Sequence, residues 1–303
     1  MAMTTATNNR TSIKAFWASL LLLSALACSS KEVDELVVIS TPYGDMTAVL
    51  YDDTPIHKQN FLKLAKNGQY DSVIFHRVIE NFMIQTGDVS TGVAGESVDY
   101  SLEAEFLPEK YIHRKGALAA ARTGDAVNPE KKSSGSQFYI VDGEIFDEEG
   151  LKARAERRQE LKLSGLFTRM LRSERFPELT EKVEYHRGLS ETDSTYDFGL
   201  AYKRLIFNSI DVIEKEFGDQ TDPGYPAWAK EVYATEGGAP HLDGQYTVFG
   251  QVVEGLEVID KIAATKTNLR DKPLEDIRMH VKVITLPKRE VTKKYGIEYP
   301  QKD

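Results

Sequence analysis

The segment FHRVIENFMIQTGD, residues 75–88, sets the guanidinium of Arg77 among Val73, Phe75, Val78, Ile79, Phe82 and Met83. Arginine keeps its charge in any protein environment, and a charge in apolar surroundings has to be compensated. Two kinds of partner are open. A distant carboxylate would make Arg77 structural. A ligand needing a hydrogen-bond donor over an apolar surface would make it functional. Gln85, polar within the same run, either faces water or belongs to the same site. Other chemistries find little support. His57, His76, His113 and His241 do not stand at metal-ligand spacing, and Cys28 is the only cysteine. No phosphate-binding glycine loop, nucleophile elbow or Ser/His/Asp set is evident. No cofactor or metal is expected.

The elements that must position Arg77 follow from periodicity. Short strands are predicted at 36–40 and 46–51 around the turn PYGD, at 73–79 and 82–85, within KGALAAAR (115–122), GSQFYIVDG (135–143) and GQYTVFGQVV (244–253), and at 278–286. DDTPIHKQNFLKLAKNGQY reads as a helix, with Thr54 as its cap, Pro55 in its first turn, a stripe of Ile56, Phe61, Leu62, Leu64 and Ala65, and Asn67-Gly68 as its stop. GLEVIDKIAAT (255–265) reads as a second helix. Many short strands and two helices predict a closed, mainly β architecture. Residues 144–236 break this rhythm with two helical stripes: Leu163, Leu166, Phe167, Met170 and Leu171, then Ile206, Ile210, Ile213 and Phe217. They are read as a helical insertion within one domain.

The chain has 303 residues, 28% charged and 41% hydrophobic, with a net charge of −9. That balance speaks against nucleic acid as a partner, because a phosphate backbone needs a basic face. The first 27 residues differ: Arg10 and Lys14 are their only charges, followed by the apolar run AFWASLLLLSALAC. This is the pattern of a secretory signal peptide, 1–27. ALAC followed by SSKEVDE resembles a bacterial lipoprotein box, with Ala25 where Leu is usual. The resemblance implies lipidation of Cys28, a tether at 28–35, and an extracytoplasmic domain held at a membrane on the periplasmic side or the cell surface.

FHRVIENFMIQTGD, KGALAAAR, GSQFYIV and HLDGQYTVFGQVVEGLEVID together resemble the four signature blocks of the cyclophilins, a family of peptidyl-prolyl isomerases, in the family's order. The resemblance covers roughly 36–143 and 237–286. It implies an eight-stranded antiparallel barrel capped by two helices, spanning 36–286 around the insertion, with a C-terminal tail at 287–303 and the active site on the outer barrel face. Carried over by motif position, Arg77 would donate to the prolyl nitrogen and Gln85 would hydrogen-bond the substrate backbone. Phe82, Met83, Tyr139 and Leu242 would form the proline pocket, with Tyr246 at its edge. Ala121 and Arg122 would line the groove for preceding residues, and Gln137 would support Arg77. His241 stands where many eukaryotic members carry Trp, Tyr246 where they carry His, and Tyr139 where Phe is commoner. The implied partners are proline-containing stretches of unfolded exported proteins. The alternative is a non-catalytic peptide-binding or chaperone module on the same fold.

The chemistry such a site would perform is explicit. Amide resonance sets a barrier of about 18–20 kcal/mol to rotation, and X-Pro bonds exchange in about 10–100 s. No nucleophile is needed. A donor aimed at the prolyl nitrogen favours the pyramidal nitrogen of the twisted state, and an apolar pocket holds the ring.

Overall fold

The computed structural model describes residues 32–299 together with Met1. The predicted signal peptide, Cys28 and the tether up to residue 31 lie outside the described residues.

Strands β1 (Val33–Thr41) and β2 (Gly44–Leu50) form a hairpin, followed by α1 (Pro55–Lys66), β3 (Val73–Ile74), β4 (Arg77–Ile79) and β5 (Met83–Thr86). Next come β6 (Ser101–Leu102), β7 (Ala117–Ala120), β8 (Ser133–Ser134) and β9 (Phe138–Val141). After the insertion, β10 (Val248–Glu254), α7 (Leu256–Ala263), β11 (Arg278–Pro287) and α8 (Lys288–Tyr295) complete the chain. Nine strands form one antiparallel sheet in the order β3-β11-β1-β2-β10-β7-β9-β5-β4, and β6 pairs only with β8. The edge strands β3 and β4 are two halves of one segment, 73–79. Between them, the Phe75 N–H donates to Ile277 O at 2.9 Å and the His76 N–H to Gln85 O at 3.1 Å. The segment leaves β11 and joins β5 at this bend, so the sheet closes through the chain itself. Counted as one strand, it gives the eight of the expected barrel.

Alternation along the strands sorts side chains between two faces. Val78, Ile84, Ile140 and Leu118 face inward and join a core that includes Phe61 and Leu64 of α1 and Ile259 and Ile262 of α7. The start of α1 departs from expectation. The Thr54 side chain does not cap it; its hydroxyl donates to Tyr51 O instead. The Glu105 carboxylate, arriving from a distant loop, accepts from the Ile56 and His57 N–H groups at 3.1 and 3.0 Å. The described part of the expected tail is also folded: Val291 of α8 is buried with Leu36 and Val49.

The insertion holds α2 (Glu148–Leu171), α3 (Pro177–Thr192), α4 (Phe198–Phe207), α5 (Ile210–Phe217) and α6 (Ala227–Thr235). The stripe from Ile206 to Phe217 spans two helices, broken at Asn208 and Ser209. Leu163, Phe167, Met170, Leu179, Val183, Ile206 and Ile213 give the outer bundle its own core. Nearer the barrel, Leu151, Tyr225, Ala229 and Tyr233 pack on Ile112 and Phe146. The two ends of the insertion meet where Glu144 N donates to Gly238 O and Gly238 N to Glu144 O, at 3.2 and 3.0 Å. Gly143 has φ +71° here, and a Cβ on it would lie 2.4 Å from Gly238 Cα. Gly143→Ala should therefore cost about 3 kcal/mol or more. Gly165→Ala, within α2 and facing open space, should stabilise by about 0.5–1 kcal/mol. Denaturant midpoints test both; equal effects would contradict the close-packed neck.

Candidate active site

Strand register brings the predicted residues together. Arg77 pairs with Gln85, Gln85 with Tyr139, Tyr139 with Ala119, and Ala119 with Val248, forming one row across four interstrand pairings. Residues directly opposite each other share a face, and this row lies opposite the inward residues Val78, Ile84 and Ile140. It is the outer face of the barrel. Met83, two residues before Gln85, lies on the same face beside Ile79 and Val141.

An apolar cluster sits on this face. Met83, Ala117, Ala119, Ala121, Tyr139 and Val248 are buried in it, with Phe82, Leu242 and Tyr246 partly exposed around them. Strict alternation would send Phe82 and Met83 to opposite faces. Phe82 escapes this because β5 starts at Met83 and Phe82 belongs to the preceding turn. Its N–H donates to Ile79 O at 3.1 Å, and Asn81 before it has φ 62°. The Phe82 ring leans on His241 at 5.3 Å, and Tyr139 meets Tyr246 edge-on at 5.9 Å. Leu242 is held in the short 3-10 turn Pro240–Leu242.

Arg77 is not buried among its apolar neighbours, because β4 turns its side chain to the outer face. It is 44% exposed, and its Nε lies 3.5 Å from Asp271 Oδ2. The loop carrying Asp271 is fixed to β4 by a Val78 N–H to Asp271 O bond of 2.7 Å. An exposed pair of this length contributes under about 1 kcal/mol. The Arg77 Nη groups have no hydrogen-bond partner among the described residues. Beside it, His76 is held below its ordinary pKa by burial first, and by Arg77 and Lys272, against the pull of Asp88. The shift favours the neutral imidazole.

A cavity of about 460 Å³ adjoins the apolar cluster, lined by Gln85, Ala121, Arg122 and Gln137 among others. Arg122 lines it as a fixed clamp. Its side chain is only 4% exposed and bonded to Asp125. It also donates to Gln245 O at 2.9 Å and lies over the Tyr246 ring at 4.5 Å. Gln137 Oε1 accepts from Gln85 Nε2 at 3.4 Å, which joins it to the row through the neighbour of Arg77 in register.

Sequence reading missed three residues behind the pocket. The Tyr139 hydroxyl meets His113 Nε2 at 3.0 Å, His113 Nδ1 meets Asp243 Oδ1 at 3.0 Å, and the Tyr233 hydroxyl donates to Asp243 Oδ2 at 2.6 Å. A tyrosine in an apolar strand was the available signal, since a buried phenol needs a partner.

The family model of cyclophilin type peptidyl-prolyl cis-trans isomerases matches residues 36–150 and 230–283. A Staphylococcus epidermidis protein provisionally named a peptidyl-prolyl cis-trans isomerase is 32% identical over 244 residues, covering 80% of this chain and 87% of the relative. A Streptococcus pyogenes protein provisionally named a bifunctional phosphatase/peptidyl-prolyl cis-trans isomerase is 34% identical over 246 residues; the alignment takes in 80% of this chain and 37% of that longer relative. A solved cyclophilin type isomerase of Cryptosporidium parvum is similar with a TM-score of 0.46 and 20% identity, covering 84% of this chain and 98% of that one. The chain belongs to the cyclophilin-type peptidyl-prolyl cis-trans isomerase family.

Tyr139→Phe should remove the hydroxyl and leave His113 Nε2 buried without that hydrogen-bond partner, at a cost of about 1–3 kcal/mol. Urea denaturation of the variant measures it, and an unchanged midpoint would show that the bond carries no net stability.

Proposed function

We propose that the outer face seats the proline of an X-Pro segment against Met83, Phe82, Tyr139 and Leu242, with Tyr246 at the rim, while Arg77 donates to the prolyl nitrogen as the bond twists. The observation that carries this reading is the register. It sets the free end of Arg77 and the amide of Gln85 in one outward row beside the apolar cluster. The weak Asp271 contact leaves the guanidinium available, because little is lost when Arg77 turns to a ligand. Gln85 holds the substrate backbone, and the cavity beside Ala121 and Arg122 takes the preceding residues. The donor acts on the twisted state more than on the planar one, so it lowers the barrier without tightening ground-state binding.

Arg77→Ala should lower kcat/KM on an Ala-Pro tetrapeptide by about 10²–10³-fold, the usual loss for one transition-state donor. Peptide affinity should change much less. Retained turnover in this variant would overturn the arginine-assisted mechanism. An inactive wild type that still binds the peptide would favour the binding-module alternative.

The same proposal extends to location. The leader and ALAC sequence support a chain lipidated at Cys28 and working outside the cytoplasm on exported proteins. Intact mass of membrane-extracted protein should correspond to a chain starting at Cys28 with acyl mass added. A mature terminus at any other residue would contradict the anchor.

A further inference from the structure

The insertion reaches the pocket through a line of buried polar groups. Tyr139 is 4% exposed, His113 0%, Asp243 8% and Tyr233 0%. A carboxylate only accepts, so the Asp243 contact at 3.0 Å assigns the proton to His113 Nδ1. His113 Nε2 and the Tyr139 hydroxyl lie 3.0 Å apart and are each other's hydrogen-bond partner. Asp243 also accepts from the His113 backbone N–H at 2.9 Å and from the Tyr233 hydroxyl at 2.6 Å. Each link fixes the next: Tyr233 sets the carboxylate plane, the carboxylate sets the imidazole, and the imidazole sets the phenol of Tyr139. Stacking agrees with this, since the His113 and Tyr139 rings lie 15° from parallel with centroids 6.0 Å apart.

Tyr233 belongs to α6, the last helix of the insertion, whereas the other three belong to the barrel and its loops. We propose that Tyr233 is a positioning residue for the proline pocket, acting through Asp243 and His113 on the ring of Tyr139. The insertion then contributes to the site without touching the substrate. The inference rests on the assignment of Tyr139 to the pocket. A second anchor runs beside the line: the Tyr225 hydroxyl donates to Pro240 O at 3.0 Å. It holds the turn bearing Leu242 when Tyr233 is altered, and so supplies a control.

The test is a double-variant cycle read as the dissociation constant of an Ala-Pro tetrapeptide, with exchange rates and denaturation midpoints measured alongside. Tyr233→Phe should weaken binding about five-fold in the wild type, within the range of coupled neighbours. In a Tyr139→Phe background it should change binding by less than about two-fold, because the phenol that the line orients is gone. Tyr225→Phe, outside the line, should have the same effect in both backgrounds. Equal effects of Tyr233→Phe in the two backgrounds would overturn the proposal. So would unchanged affinity accompanied by a lowered midpoint, which marks a purely structural bond. A wild type that binds the peptide without speeding its exchange would overturn the catalytic reading alone, and the cycle would still decide the role of Tyr233.

Discussion

The structure depends on the period-two alternation of a closed antiparallel sheet. Each strand of the β4-β5-β9-β7 wall gives one set of side chains to the barrel interior and the other to the outer face. Val78, Ile84 and Ile140 build the core from the same strands in which Arg77, Gln85 and Tyr139 build the site. A register slip of one residue would exchange the two sets. The packed interior therefore also holds the functional row in place, and the site needs no loop to assemble its central members.

The outer face has an unusual backing. In most of the wall the pocket rests on apolar packing: alanines 117, 119 and 121 with Val141 and Val248. Under Tyr139 it rests on His113 and Asp243. A buried carboxylate is tolerable only when its lone pairs are filled. Here two donors come from His113 and one from Tyr233, so the insertion completes the satisfaction of a group lying directly behind the pocket. The neck at Gly143 and Gly238 allows this close approach, and it explains why a segment outside the barrel can be packed against the site while most of its helices form a core of their own.

The barrel was legible in the sequence where local pattern decides. All eight predicted strand segments form, the two capping helices lie at 55–66 and 256–263, and Arg77, Met83 and Gln85 of the motif share the outer face. What was hidden depends on partners far along the chain. The cap of α1 comes from Glu105, 48 and 49 residues from the amides it accepts from. The carboxylate beside Arg77 is 194 residues away, and the one behind Tyr139 lies 130 residues from His113. Arg77 read as a cation sunk in apolar surroundings because neighbours in sequence alternate faces in a strand. Val73, Phe75 and Val78 point inward, while its own side chain points out, on the face of Ile79 and Met83. The stripe from Ile206 to Phe217 is helical as read, but a continuous stripe does not reveal the break at Asn208 and Ser209.

The most direct test of the central claim is a nuclear magnetic resonance titration of an Ala-Pro peptide into protein labelled at its methionine methyls. Met83 lies in the wall of the outer pocket, whereas Met170 lies in the core of the insertion. Catalysis at the outer face predicts that the Met83 methyl signal moves while Met170 stays, and that cis and trans peptide signals exchange rapidly at substoichiometric protein. Peptide binding that leaves Met83 unmoved, or that moves it without speeding exchange, would contradict the account.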